Sequence, residues 1–233
     1  MQSGVWRERR HPHAILPSPA LLGGIDAGRR QESGGARVFA REMHAHYDAP
    51  GLRYLAAPVL GRVSVSEAGR LNILAAVIDS VQPLFDGLGQ RTWRFGEAPE
   101  QANVVKLAAN FMIAGAIGSM SEAAALAQGH GVAGRDFLEM ITTPRFNTPA
   151  YTGYGASMSK QVFEPAGFQF ALGAKDMRLT LLAGEAANVP MPFASVLRDT
   201  HLDSLAHDEG QLDWAALSRV ALRRGGLRGT DNE

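Results

Sequence analysis

Residues 99–128, PEQANVVKLAANFMIAGAIGSMSEAAALAQ, run without an internal proline and stop at Gly129-His130-Gly131. Pro99 suits a first helical turn, where its missing N–H costs nothing, and the glycines supply a C-terminal stop. At 1.5 Å per residue the helix is about 45 Å long, enough to cross between two domains. The sequence on its two sides differs in kind. Upstream, LRYLAAPVLG (52–61), RLNILAAVI (70–78) and QRTWRFG (90–96) are short apolar or β-branched runs, hence strands, and VQPLFDGLG (81–89) is a short helix. ARVFAREMHAHYDAPG (36–51) suits a helix with Val38, Phe39 and Met43 inward, ended before Pro50-Gly51. Helix and strand alternate here, which is the pattern of an α/β layer. Downstream, DFLEMITT, YGASMSKQVF, FQFALGAKDMRLTLLAGEAA, FASVLRDTHLDSLAH and DWAALSRVALRRGG all read as helix. The expected organisation is an irregular leader over residues 1–35, an α/β part over 36–98 and a helical part over 99–233.

Within the long helix, Lys106 and Asn110 are four apart and share one face, while Val104, Val105, Leu107, Phe111, Met112 and Ile113 wrap most of the rest. A lysine in that setting either snorkels, running its stem along apolar surface to water, or does chemistry. Charge and composition narrow the chemistry. Lys+Arg and Asp+Glu are equal at 23 each, so no global field favours nucleic acid or an anionic membrane, and the expected partners are small molecules or copies of the chain itself. Zero cysteines exclude a disulfide scaffold, thiol catalysis and thiolate zinc, and they suit a cytoplasmic setting. No apolar stretch is expected to reach the ~18 residues of a membrane span. Pro17 and Pro19 break the apolar run behind the arginine-bearing first ten residues, which reads as a disordered leader rather than a signal peptide. His44 and His46 are two apart on a helix, hence on different faces, and His11 and His13 have no carboxylates near them, so no metal site is expected. There is no G-x-S-x-G and no Walker loop, and Gly87-Leu88-Gly89 and Gly153-Tyr154-Gly155 read as turns.

Four separated stretches combine: AAPVLGR (56–62), GEAPEQANVVKLAANF (96–111), NTPAYTGYGASMSKQVFEPAGFQFALGAKDMRL (147–179) and NVPMP (188–192). In this order they resemble the β-hydroxyacid dehydrogenase family, in particular 3-hydroxyisobutyrate dehydrogenases and the glyoxylate and succinic semialdehyde reductases. The resemblance covers residues 37–224, and KLAAN and GFQFALGAKD are its most specific parts. It implies an α/β remnant of a Rossmann domain, followed by an all-α 6-phosphogluconate dehydrogenase-like C-terminal domain that forms a homodimer. It also implies NADP or NAD as cofactor and a small hydroxy acid, or its aldehyde or keto counterpart, as substrate. By position Lys106 matches the family's catalytic lysine and Asn110 its helical partner. A partly desolvated ammonium gives up its proton more readily, so Lys106 suits proton delivery to a carbonyl oxygen, with Asn110 orienting it or the substrate hydroxyl. Leu60, Gly61 and Arg62 match the substrate loop, with Leu60 where many relatives have serine, so a hydroxyl donor is missing there. Phe168 and Asp176 match the substrate side of the later motif and Lys175 its cofactor contact.

The family opens with a strand, G-x-G-x-x-G and a helix. Only 55 residues precede AAPVLGR, and none carries that fingerprint. The expectation is therefore a chain truncated through its cofactor site that binds NADPH or NADH weakly or not at all, with the choice between NADP and NAD open. The alternative reading is a non-catalytic helical dimerisation remnant. Imine reductases share the architecture but usually place aspartate or tyrosine where Lys106 stands. The small residues Ala116, Gly118 and Ala123 to Ala125 are expected near a dimer interface, because they let helices approach closely.

Overall fold

The computed structural model describes residues 13–16, 53–61, 63–76 and 81–229. The helix expected over 36–49, the substrate-loop residue Arg62, and His11, His44 and His46 lie outside the described residues. The Cα packing divides the chain into two compact units, Met1–Ala108 with Glu185–Ala187, and Ala109–Gly184 with Asn188–Glu233.

The first unit contains β1 (His13–Leu16), β2 (Arg53–Ala56), β3 (Val59–Leu60), α1 (Val63–Glu67), β4 (Leu71–Ala75), α2 (Gln82–Leu88) and β5 (Gly89–Arg94). β4 pairs antiparallel with β3, Val59 facing Ile73, and parallel with β5, Ile73 facing Thr92. Parallel neighbours need a crossover rather than a hairpin, and α2 lies in that connection. Leu55, Ile73, Ala75, Val81 and Phe85 form the core of this unit. Two features differ from the sequence expectation. The strand expected over 52–61 is split into β2 and β3 around Ala57-Pro58, because proline has no N–H to give a ladder. The leader, expected to be irregular, contributes β1, which pairs in parallel with β2, His13 facing Arg53 and Leu16 facing Ala56. Four residues show no periodicity of their own, and their partner is distant in sequence.

α3 (Pro99–Gly129) carries the chain from the first unit into the second, which continues with α4 (Gly134–Thr142), α5 (Pro149–Lys160), α6 (Phe170–Ala186), α7 (Pro192–Leu205), a 3₁₀ turn (Trp214–Ala216) and α8 (Leu217–Arg224). On α3, Asn110, Ala114, Ile117, Ser121 and Ala124 are buried, at alternating steps of four and three that keep one stripe on the core. The Ser121 hydroxyl donates to the Ile117 carbonyl at 2.7 Å, so the polar member of the stripe is satisfied. The expectation that no stretch is long and apolar enough to span a membrane is corrected here. By length and composition alone α3 meets that measure, with a mean hydropathy of 1.4 over its most apolar window. Its Ala114, Ile117, Met120 and Ala124 belong instead to the helical core, which accounts for the composition. Of the small residues of α3, Ala116 and Ala124 are buried in the chain itself, and a Cβ on Gly118 would stand 3.1 Å from Leu197 of α7, so these three take part in helix packing within one chain, while Ala123 and Ala125 are half-buried.

The centre of the helical unit is Trp214, 1% exposed. Its backbone N–H donates to the Phe168 carbonyl, and its ring lies 4.9 Å from that of Phe168 and edge-on to Tyr154. α6 passes so close that a Cβ on Gly173 would fall 2.3 Å from the indole nitrogen, so only glycine fits. The indole N–H donates to Nε2 of the buried His201 at 2.7 Å, and His201 Nδ1 sits 2.7 Å from the Leu197 carbonyl. The two bonds are satisfied together only by the neutral tautomer protonated at Nδ1. Burial holds the His201 pKa below the ordinary 6.5, against the opposing pull of its bond to the Leu197 carbonyl.

Two outcomes follow. Gly173→Ala forces a methyl into the indole and is expected to destabilise the protein by about 1–3 kcal/mol, read by urea denaturation, with Gly129→Ala, which meets open space, as the mild control. The pH dependence comes from His201, which takes a proton less readily folded than unfolded. Its contribution to stability is therefore present above pH 6.5 and is lost as pH falls from there towards the depressed folded value. The melting temperature should drop between pH 7 and pH 5, and His201→Gln, which keeps an uncharged acceptor for the indole, should flatten that drop. Parallel pH profiles for the two proteins would refute the assignment.

Candidate active site

The sharpest geometry among the sequence-predicted residues lies between α3 and α6 within the helical unit. Asn110 is 6% exposed and Asp176 5% exposed, and Asn110 Nδ2 donates to Asp176 Oδ2 at 2.6 Å. The other carboxylate oxygen, Oδ1, takes the Lys175 ammonium at 2.9 Å. A buried carboxylate is costly unless its lone pairs are met, and here a cation and an amide share them. The charge-assisted amide bond is worth about 1.5–3 kcal/mol net. Lys175 keeps 33% of its side chain exposed, so its pair is screened on one side while the ammonium remains open to a ligand. The Thr180 hydroxyl donates to the Asp176 carbonyl at 2.9 Å, which adds a local bond inside α6. Lys175 and Asp176 lie two and three residues after Gly173, so the contact with Trp214 also sets where α6 presents them.

Lys106 stands one turn before Asn110 on α3 and is half-buried. Phe168 is half-buried, with one face on Trp214. Its backbone N–H and that of Gly167 donate to Asp213 Oδ2 at 3.2 and 2.9 Å, while Asp213 Oδ1 accepts from the Ala215 N–H. One buried carboxylate thus ties the segment before α6 to the 3₁₀ turn. Sequence reading did not single out Asp213, although an aspartate directly before a helical turn is a capping signal.

In the first unit, Leu60 ends β3 and Gly61 follows it, exposed. Gly61 has φ +154°, and a Cβ there would lie 2.8 Å from Leu71 Cδ2, so glycine is required at this bend and its backbone stays uncovered. A literal G-x-G-x-x-G does occur, at Gly129, Gly131 and Gly134, and was missed in sequence as a mere helix stop. It joins α3 to α4, so it follows a helix and lacks the strand that places a dinucleotide turn. Among the described residues no three His, Asp or Glu side chains converge as metal ligands would.

The family described as "NAD-binding of NADP-dependent 3-hydroxyisobutyrate dehydrogenase" matches residues 101–221. The chain belongs to this family. The "uncharacterized oxidoreductase YfjR" of Bacillus subtilis (strain 168) is 34% identical over 183 residues, 77% of this chain and 64% of its own length. "Glyoxylate/succinic semialdehyde reductase 1" of Arabidopsis thaliana is 31% identical over 171 residues, 72% of this chain and 58% of its own. A crystal structure of 3-hydroxyisobutyrate dehydrogenase from Salmonella typhimurium superposes with a TM-score of 0.72 at 20% identity, over 79% of this chain and 66% of that one. That likeness shows the fold: a small Rossmann-type α/β part followed by the helical domain. The chain spans less than two thirds of the length of these two relatives. The cofactor class implied by the motifs, NADP or NAD, is that of the family. The donor set on α6 suits such a group in part, since a half-exposed ammonium anchored on a buried carboxylate can meet an anionic or amide portion of a dinucleotide. The strand, glycine turn and helix that hold a pyrophosphate do not occur together among the described residues.

Proposed function

We propose that this chain performs the proton-transfer and substrate-binding work of an NAD(P)-dependent oxidoreductase of the β-hydroxyacid dehydrogenase type, acting on a small hydroxy acid or its aldehyde or keto counterpart. The observation that carries the reading is the buried Asn110–Asp176–Lys175 arrangement, which the motifs bring from two distant stretches onto facing helices. Lys106, one turn from Asn110, donates a proton to the carbonyl oxygen in reduction and takes it back in oxidation. Asn110 orients that exchange with a neutral carboxamide. The exposed backbone at Gly61 offers its N–H to a substrate carboxylate, with Leu60 adding apolar surface where a hydroxyl would otherwise stand and Arg62, next in sequence, as a cation for the same carboxylate. Phe168 walls the substrate and Lys175 contacts the cofactor. When bound, the nicotinamide supplies or accepts the hydride.

The working form is a homodimer in the cytoplasm. Met112, Phe193 and Val196 are 73%, 49% and 56% exposed, an apolar cost that a second copy of the helical unit would remove.

The test is turnover with NADPH or NADH and glyoxylate or succinic semialdehyde, read by loss of reduced nicotinamide absorbance, in a version of the chain joined to a strand, G-x-G-x-x-G turn and helix that supply the pyrophosphate site. Lys106→Ala should lower turnover by about 10² to 10⁴ with the cofactor KM nearly unchanged. Lys106→Arg should fail almost as badly, because a guanidinium does not exchange its proton near neutrality. Asn110→Ala should cost less. Lysine variants within a few-fold of the parent would withdraw the role of Lys106. A folded parent that neither turns over nor binds reduced nicotinamide would favour the second reading, a non-catalytic helical dimerisation domain.

A further inference from the structure

Asp176 was expected to meet substrate, yet both of its oxygens are engaged by protein, Oδ2 by Asn110 Nδ2 at 2.6 Å and Oδ1 by the Lys175 ammonium at 2.9 Å. Its position is set from behind: Met177 next to it is fully buried in the helical core, and Gly173 one turn earlier lies against Trp214. A carboxylate only accepts hydrogen bonds, so the group it draws from Asn110 is the NH₂ and never the carbonyl. A carboxamide is planar with its two polar atoms on opposite corners. Once the nitrogen is turned to Asp176, the oxygen is the end that remains for a ligand.

We propose that Asp176 is a positioning residue that locks the Asn110 carboxamide with its oxygen towards the ligand, so that the group received at Asn110 is a hydrogen-bond donor such as an alcohol hydroxyl and not a carboxylate. The inference rests on the hydroxy-acid reading above for its choice of ligand. It adds a polarity to the site: an uncharged acceptor favours the reduced, hydroxyl form and repels an anionic oxygen placed at the same spot. Lys175 contributes by pairing with the other carboxylate oxygen at 2.9 Å, which leaves Oδ2 to the Asn110 NH₂.

The experiment uses the full chain labelled with ¹⁵N-asparagine, with the Asn110 side-chain signal assigned by its loss in Asn110→Leu. In the parent, the two Nδ2 protons should be well separated in shift and slow to exchange with solvent. In Asp176→Asn the pair should collapse towards an exposed amide with circular dichroism unchanged. The second arm titrates 4-hydroxybutyrate and succinate, which differ in carrying a hydroxyl or a second carboxylate at one end. The hydroxy acid should perturb the Asn110 signal with about tenfold tighter binding, the factor one hydrogen bond supplies, and Asp176→Asn should erase the preference. Asp176→Glu, which restores a carboxylate, should recover part of it. An Asn110 signal that is unaltered in Asp176→Asn overturns the lock, and equal, absent or reversed discrimination in the parent overturns the polarity. Neither readout needs turnover, so an inactive parent would sink the enzymatic reading while these two arms still decide the inference.

Discussion

The helical unit is organised around one indole. Trp214 is large, has a single side-chain donor to satisfy, and is surrounded by segments from four places in the chain. α5 brings Tyr154 edge-on to it, α6 brings a glycine close enough that no side chain fits between, and α7 brings an imidazole that accepts its N–H. The segment before α6 brings Phe168 and a backbone carbonyl. Asp213, next door, collects three backbone N–H groups and so fixes the approach to α6 from the other side. A buried ring so hemmed in has few alternative packings, and interiors at this density transmit a displacement rather than absorb it.

That rigidity matters because the chemistry sits on the same helix. Gly173 meets the indole, and within one turn α6 presents Lys175 and Asp176. Asp176 then reaches across to Asn110 on α3, whose register is held by the apolar stripe that continues through Ala114, Ile117 and Ala124. The order of dependence runs from the indole to α6, from α6 to the carboxylate, and from the carboxylate to the carboxamide. Preorganised groups of this kind cost nothing to reorient when a ligand arrives. A second polar cluster, in which Glu209 and Asp203 meet Arg219, Arg223 and Arg224, holds α8 to the end of α7. Arg223 and Arg224 hold the Asp203 carboxyl below its ordinary value against the opposing effect of burial, so this tie contributes stability that is lost as pH falls through that lowered value.

Much of this was legible before the structure. The proline-free run ending in glycine became α3, and the amphipathic segments after it became α4 to α8, because helical periodicity is local and each helix carries its own record of which side is buried. The strands β4 and β5 with α2 between them were legible for a similar reason. β1 was not, since four residues acquire meaning only beside β2. The small residues of α3 were visible, yet whether they admit a helix of the same chain or of another copy is a question of what stands opposite, and Leu197 and Phe193 of α7 stand there. The apolar length of α3 was underestimated because isolated Gly, Asn and Ser residues break a run of apolar letters without lowering the mean hydropathy of a window below the spanning measure.

The sequence by itself determined the succession of an α/β part and an all-helical part, the shared face of Lys106 and Asn110, and the family to which the motifs belong, because these depend on residue order and on spacing along one helix. Only the tertiary structure decided what Asp176 does. Sixty-odd residues separate it from Asn110, and a carboxylate next to a lysine in a helix reads equally well as a solvated pair. The packing of α6 against Trp214 buries that carboxylate, burial obliges it to find donors, and the donors within reach are the carboxamide of α3 and its own neighbour. Neither the depth of burial nor the identity of a partner from another helix is encoded in any local pattern.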